Sequence, residues 1–146
     1  FGTWRDRVPE GFIYAVKVSR YITHMKKLRD VEEPLETFIA RARLLRDKLG
    51  PLLYQLPPGM KRNDAVLEAF LKLLPHDLQH VFEFRNESWF DDVVYALLRK
   101  HNAAFCVYDL PGTATPLVAT ADFAYVRFHG STGLYDSCYT DAELQS

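Results

Sequence analysis

Val81-Phe82-Glu83-Phe84-Arg85-Asn86-Glu87-Ser88-Trp89-Phe90 begins as an apolar strand and turns polar within a few residues. Glu83 and Arg85 are two apart, so in a strand they share one face. An opposite-charge pair at the end of an apolar strand costs free energy unless something compensates it. Ser88, with Asp91 three residues on, reads as the cap of a helix from Asp91 to His101, with Val93, Val94, Leu97 and Leu98 on its apolar face. The stretch is therefore one strand, one turn and the start of one helix.

The same unit recurs on either side. Upstream, residues 1–7 read as a helix tail ended by Pro9 and Gly11, and Gly11–Ser19 as a strand rich in β-branched and aromatic residues. Pro34 suits a first helical position. After it Leu35, Phe38, Ile39, Ala42, Leu45 and Leu49 keep helical spacing up to Gly50. Leu52–Leu56 is a second strand. Asn63 or Asp64 can cap the next helix, whose apolar face is Val66, Leu67, Phe70, Leu71 and Leu74, with Pro75 as its stop. His80–Arg85 is the third strand and Ala103–Asp109 the fourth. Leu110–Asp122 is a connection without helical period, and Phe123–His129 is the fifth strand. A turn over 130–133 follows, then the capping-box tetrad Thr140-Asp-Ala-Glu143. The strands are apolar nearly throughout and alternate with helices, which predicts a parallel sheet covered by helices in a single domain over 1–146.

Each predicted strand ends in polar residues: Lys17 and Arg20, Gln55, Glu83 and Arg85, Asp109, then Arg127 and His129. In parallel α/β sheets these carboxyl ends gather on one rim, where ligands bind. Glu83 with Arg85 reads either as a structural ion pair or as a catalytic acid with its charge partner. Lys17 either snorkels to water or meets an anion. Arg127 and His129, again two apart, fit an anion clamp beside a general acid or base. The candidate catalytic set is thus Glu83, Asp109 and His129. The candidate binding set is Lys17, Arg20, His24, Gln55, Arg85, Asn86, Trp89 and Arg127, although Trp89 reads better as a core or rim plug than as a stacking platform.

Glu83, Asp109 and His129 also have the ligand types for a divalent metal such as zinc or manganese, although no sequence motif requires a cofactor. Met25-Lys-Lys-Leu-Arg29, with Arg20 and His24, is the one basic cluster; it suits phosphate or a solvated loop.

The 146 residues carry a formal net charge of -1 and are 48% hydrophobic. That balance gives no global pull toward nucleic acid or membrane. Cys106 and Cys138 make no disulfide framework, and with no signal segment they point to the cytoplasm. No apolar run reaches the roughly 20 residues of a membrane span. Phosphate-cradling Gly-rich loops and the G-x-S-x-G elbow are absent, which argues against nucleotide-hydrolysing, dinucleotide-dependent and serine-hydrolase classes. The start at Phe1 and the capping box near Ser146 make the chain read as a piece of a longer protein.

Several segments, in order, carry a resemblance: Pro9-Glu-Gly-Phe12 into Ala15-Val-Lys17, Ile22-Thr-His24, Leu49-Gly-Pro51, Gln55-Leu-Pro-Pro58, Glu83-Phe-Arg85-Asn86, Ser88-Trp89, Thr120-Ala-Asp-Phe123 and Tyr125-Val-Arg127-Phe-His129-Gly130. Together the chain resembles the YecE-like family, also catalogued as domain of unknown function 72. The resemblance implies a TIM-type (β/α) barrel, incomplete here with about five of eight parallel strands, lacking the first two and the last. Exposed sheet edges would then favour self-association. It implies no activity. Three functions compete: an enzyme acting on a phosphorylated, sugar-like or nucleic-acid substrate at the rim, a non-catalytic module binding an anion or nucleic acid there, and a structural or interaction protein with a purely bracing rim.

Overall fold

Alternation along the strands decides the architecture, because each strand has two apolar faces and both are used. In the computed structural model, residues 1–110, 113–129 and 141 are described. The strands in chain order are β1 (Tyr14–Lys17), β2 (Leu49–Gln55), β3 (His80–Glu83), β4 (Ala104–Leu110), β5 (Thr113–Ala114) and β6 (Tyr125–Phe128). Five of them run parallel in the order β1-β2-β3-β4-β6 and curl into a half-barrel, while β5 folds back antiparallel on the end of β4. The helices are α1 (Gly2–Arg5), α2 (Glu32–Ala42), α3 (Asp64–Leu71) and α4 (Asp92–Lys100).

The convex face of the sheet carries Leu52, Tyr54, Phe82, Phe84 and Phe105, all buried with the helix residues Leu35, Leu67, Phe70, Val94 and Leu98. Tyr54 stacks on Phe82 with centroids 4.8 Å apart, and Phe84 stacks on Trp89 at 4.9 Å. The concave face carries a smaller cluster, Leu53, Val81, Ala104 and Cys106. Residues of opposite parity on one strand thus serve two cores, as expected of a parallel sheet covered by helices on one side and curled on the other.

Several expected boundaries move, each for a visible reason. The helix expected from Pro34 to Leu49 ends at Ala42; a 3-10 turn over Arg43–Lys48 follows, broken at Arg46, whose φ is +54°. Pro34 is the third helical residue, not the first. β2 starts at Leu49 because Gly50 lies against β1. A Cβ there would meet Ile13 Cγ2 at 2.4 Å and the Tyr14 carbonyl oxygen at 2.9 Å. The register slips by one residue at this point, and Pro51, which has no N–H to donate, sits in the slip. Ser88 does not cap α4. Asp91 does, its carboxylate accepting from the Val93 N–H at 2.9 Å, while Asn86 caps a 3-10 turn over Glu87–Trp89.

The expected featureless connection after Leu110 contains β5, and its threonines tie it down in place of a helix. Thr115 Oγ1 accepts from the Tyr108 N–H (2.9 Å), and Thr120 Oγ1 accepts from the Phe105 N–H (2.8 Å) and donates to the Ala103 carbonyl (2.7 Å). The turn over 130–133, Cys138 and the capping box at 140–143, apart from the exposed Asp141, lie outside the described residues.

His80, 3% exposed at the start of β3, is bonded on both ring nitrogens. Nε2 donates to the Pro75 carbonyl at 2.8 Å, so Nδ1 accepts the Tyr54 hydroxyl at 3.0 Å. Burial holds its pKa below the ordinary histidine value of 6.5. The folded state therefore resists a proton that the unfolded chain takes up below about pH 6.5. Stability is full above that pH and falls as the pH drops toward the folded value. Urea midpoints measured from pH 7 to pH 5 should decline, and the decline should be shallower in His80→Gln; equal slopes would remove this role.

Candidate functional site

The concave face changes character along the strands, from the apolar Leu53, Val81, Ala104 and Cys106 to a polar layer at the carboxyl ends. Parity builds that layer. Val16 and Val18 are buried on the helix side, so Lys17 between them faces the concave side. Gln55 follows Leu53 by two, Glu83 follows Val81 by two, and Gln55 lies opposite Glu83 in the ladder. Arg127 lies opposite Tyr108, which follows Cys106 by two.

Glu83 is the centre. Its side chain is 0% exposed. Oε1 accepts from Gln55 Nε2 at 2.9 Å and from Arg85 Nε at 2.5 Å. Oε2 accepts from Arg127 at 2.5 Å, and the Cys106 thiol lies 3.9 Å away. Burial alone would push this carboxyl up, but the Gln55 and Arg127 hydrogen bonds and the charges of Arg85 and Arg127 outweigh it and hold the pKa low. Burial and the same carboxylate push the Cys106 thiol up to about 12, so it stays protonated. Arg85 lies over the Tyr108 ring at 4.8 Å, and the Tyr108 hydroxyl donates to the Phe84 carbonyl at 2.8 Å. The guanidinium is thus fixed from two directions.

Lys17 Nζ donates to Gln55 Oε1, which turns the Gln55 amide so that its NH₂ faces Glu83. Burial and the nearby Arg127 lower the Lys17 pKa, with Glu83 opposing them. At the other end His129 Nδ1 donates to the Asp109 carbonyl at 3.3 Å, and its ring meets Tyr108 edge-on at 6.3 Å. Burial, then Arg127 and Arg85, lower the His129 pKa and favour the neutral ring. His24 is lowered by burial and by the charges of Arg20 and Lys17. Arg20 is exposed beside the same strand end.

The structure therefore brings Lys17, Gln55, Glu83, Arg85 and Arg127 into one connected group, with His129 beside Tyr108 and with Arg20 and His24 at the β1 end. Two expected binding residues lie elsewhere. Trp89 is fully buried on the convex side, its indole N–H donating to the Met60 carbonyl at 2.7 Å. Asn86 spends its amide on the chain, with Nδ2 donating to the Pro58 carbonyl and Oδ1 accepting from Ser88. Asp109 has the parity of Val107, opposite to Tyr108. Among the described residues no three His, Cys, Asp or Glu side chains converge to hold a metal ion, so the set Glu83, Asp109 and His129 is not assembled as ligands. Tyr108 and Tyr125, which stand on the concave face beside the buried free thiol Cys106 expected from its apolar run, were not singled out from the sequence. Counting in twos back from Asp109 would have separated it from Tyr108 and Cys106.

The model of a protein of unknown function, DUF72, matches residues 1–146. A solved DUF72 family protein from Thermotoga maritima is similar to this chain at 30% identity with a TM-score of 0.84; the match covers 96% of this chain and 61% of that one. A second, from Enterococcus faecalis, is similar at 22% identity and a TM-score of 0.75, over 99% of this chain and 58% of that one. The chain thus spans about three-fifths of the length of these relatives. No curated protein matches. Among the described residues no helix is long and apolar enough to cross a membrane.

Removing the Glu83 charge should show how much the fold leans on it. Glu83→Gln leaves two guanidinium groups short of a buried partner, a change that costs about 3 kcal/mol or more in comparable sites. We expect a lower urea midpoint at pH 7. Because the folded pKa is depressed, the charge-dependent stability is present above about pH 4.5, the ordinary value, and lost as the pH falls through the folded value. The wild-type and Glu83→Gln curves should converge in that acid range; parallel curves would show that the carboxylate carries no stability.

Proposed function

The chain belongs to the DUF72 family, whose function is unknown, and from that premise we propose that its concave rim binds a phosphate-bearing ligand. One observation carries the reading: among the described residues of this face a single buried carboxylate, Glu83, stands among Lys17, Arg85 and Arg127. Within that group of four, positive charge is in excess. Burial first, and then the neighbouring cations, depress the Lys17 and His129 pKa values, and an incoming anion would relieve the second of these. Glu83 then acts as a fixed counter-charge that aims Arg85 and Arg127, and Gln55 passes the alignment to Lys17. Each guanidinium has five N–H donors and only one is used by Glu83 in either arginine, so each retains donors for phosphate oxygens.

A second reading, turnover of the bound ligand, is favoured by His129. Its Nδ1–H is committed to the Asp109 carbonyl, so Nε2 is the basic nitrogen, and burial with the neighbouring arginines favours the neutral ring. On this reading His129 moves the proton and Glu83 does not.

Calorimetric titration with inorganic phosphate and a sugar phosphate, at low ionic strength, tests the binding. Wild type should bind, more weakly as salt rises. Arg127→Ala should lose about tenfold or more, the worth of one charge-assisted hydrogen bond. Lys17→Gln, at an exposed position that spares both Glu83 ion pairs, should also weaken binding while leaving the urea midpoint near wild type. Absence of heat with either ligand, or affinity untouched by both substitutions, would overturn the reading.

A further inference from the structure

The β1 end of the rim does not stop at Lys17. The chain leaves β1 through a π-helix, Tyr21–Met25, a rare conformation that is frequent at functional sites. It then passes through three non-glycine residues in the left-handed region within four positions: Lys27 (φ +50°), Leu28 (φ +66°) and Asp30 (φ +50°). Buried Leu28 pins the loop from below, so the strain is held by packing. What the loop presents outward is Arg20, Lys26, Lys27 and Arg29 against one acid, Asp30. Arg20, Lys27 and Arg29 are exposed. Among the described residues none of these four cations forms a salt bridge, although acids elsewhere on the surface are paired, as in Arg43–Asp77 and Arg62–Asp64.

Two large side chains stand among the charges. Tyr21 is 42% exposed and Met25 is 73% exposed, with Lys26 Nζ 6.0 Å from the Tyr21 ring centroid. An exposed aromatic inside a cluster of cations without salt bridges among the described residues is the pairing that single-stranded nucleic acid uses, bases on rings and phosphates on cations. The first residues of the strip follow β1 directly, so Arg20 stands three residues beyond Lys17 at the same strand end. Burial and then nearby cations, Arg20 among them, lower the pKa values of Lys17 and His24.

We propose that the loop from Arg20 to Asp30 is a docking strip for single-stranded nucleic acid, with Tyr21 as a base-stacking platform and Lys26, Lys27 and Arg29 along the backbone. The proposal rests on the phosphate reading of the concave rim and extends it: the phosphate held there would belong to the same strand. A curled face beside a narrow loop favours a flexible strand over a flat bilayer, which would meet the loop alone.

Fluorescence anisotropy with a labelled oligothymidylate tests this on the full chain. Wild type should bind with a steep salt dependence. Lys27→Asn/Arg29→Gln should lower the magnitude of the log–log salt slope by about 1.4, at about 0.7 per phosphate contact on a single strand; Asn is chosen because it tolerates the left-handed backbone. Tyr21→Ala should weaken binding about tenfold with little change of slope, the signature of lost stacking. Neither variant should alter inorganic phosphate binding at the rim or the urea midpoint. Phosphate binding without oligonucleotide binding, or oligonucleotide binding indifferent to these substitutions, would overturn the strip and leave the rim reading intact. Loss of both ligands in wild type would overturn both. Loop-dependent binding to phosphatidylserine vesicles without oligonucleotide binding would overturn the nucleic-acid assignment.

Discussion

A carboxylate with no exposed surface holds the rim of this half-barrel together. Desolvating a carboxylate costs several kcal/mol even after relaxation, and a lone partner seldom offsets it. Glu83 is met by three donors, Gln55, Arg85 and Arg127, from three separate segments. Those segments span the sheet from β2 to β6, so the bond network crosses β3 and β4 and fixes the curvature at the carboxyl ends. Lys17 joins through Gln55, which brings in β1. The side chains of all five parallel strands and of the turn after β3 are therefore placed directly or through Tyr108 by the need to compensate one buried charge.

That need also separates the two faces. On the convex side the strands present mainly apolar and aromatic groups to the helices, with the polar atoms of buried His80 satisfied by Tyr54 and Pro75, and Trp89 finishes the stack with Phe84. On the concave side four small or aliphatic residues fill the lower layer, and the charged layer begins one residue pair above them. Packing thus supplies the scaffold, and among the described residues no helix covers the polar layer.

The layering was legible in the sequence because it depends on parity, which is local. Glu83 and Arg85 are two apart, as are Arg127 and His129, and the apolar runs mark the strands. The Glu83–Arg127 bond was not legible. It joins residues 44 apart through the register of two strands on either side of β4, and no local pattern reports register. Helix ends failed for a related reason. Leu45 and Leu49 keep helical period after Ala42, yet the chain must break at Arg46 so that Gly50 can lie against Ile13 and Tyr14. Tertiary contact overrode periodicity there. Ser88 lost the cap of α4 to Asp91 because Asn86 had already begun a tight turn of its own. Trp89, which as a motif element beside Asn86 invited a role in binding, is buried because a stacked ring on Phe84 and a carbonyl on Met60 satisfy both its face and its N–H.

Why the charge is arginine on both sides of Glu83 follows from the same geometry. A lysine would offer one point charge, which the carboxylate would largely consume. A planar guanidinium gives one N–H to Glu83 and keeps the rest of its fork in a fixed direction. Arg85 is further held by the Tyr108 ring, so its remaining donors have little freedom to lose when a ligand arrives. Glu83 therefore does not quench the rim. It orders two arginines in advance, and on the proposed reading the positive charge left over within this group is what an anion would meet.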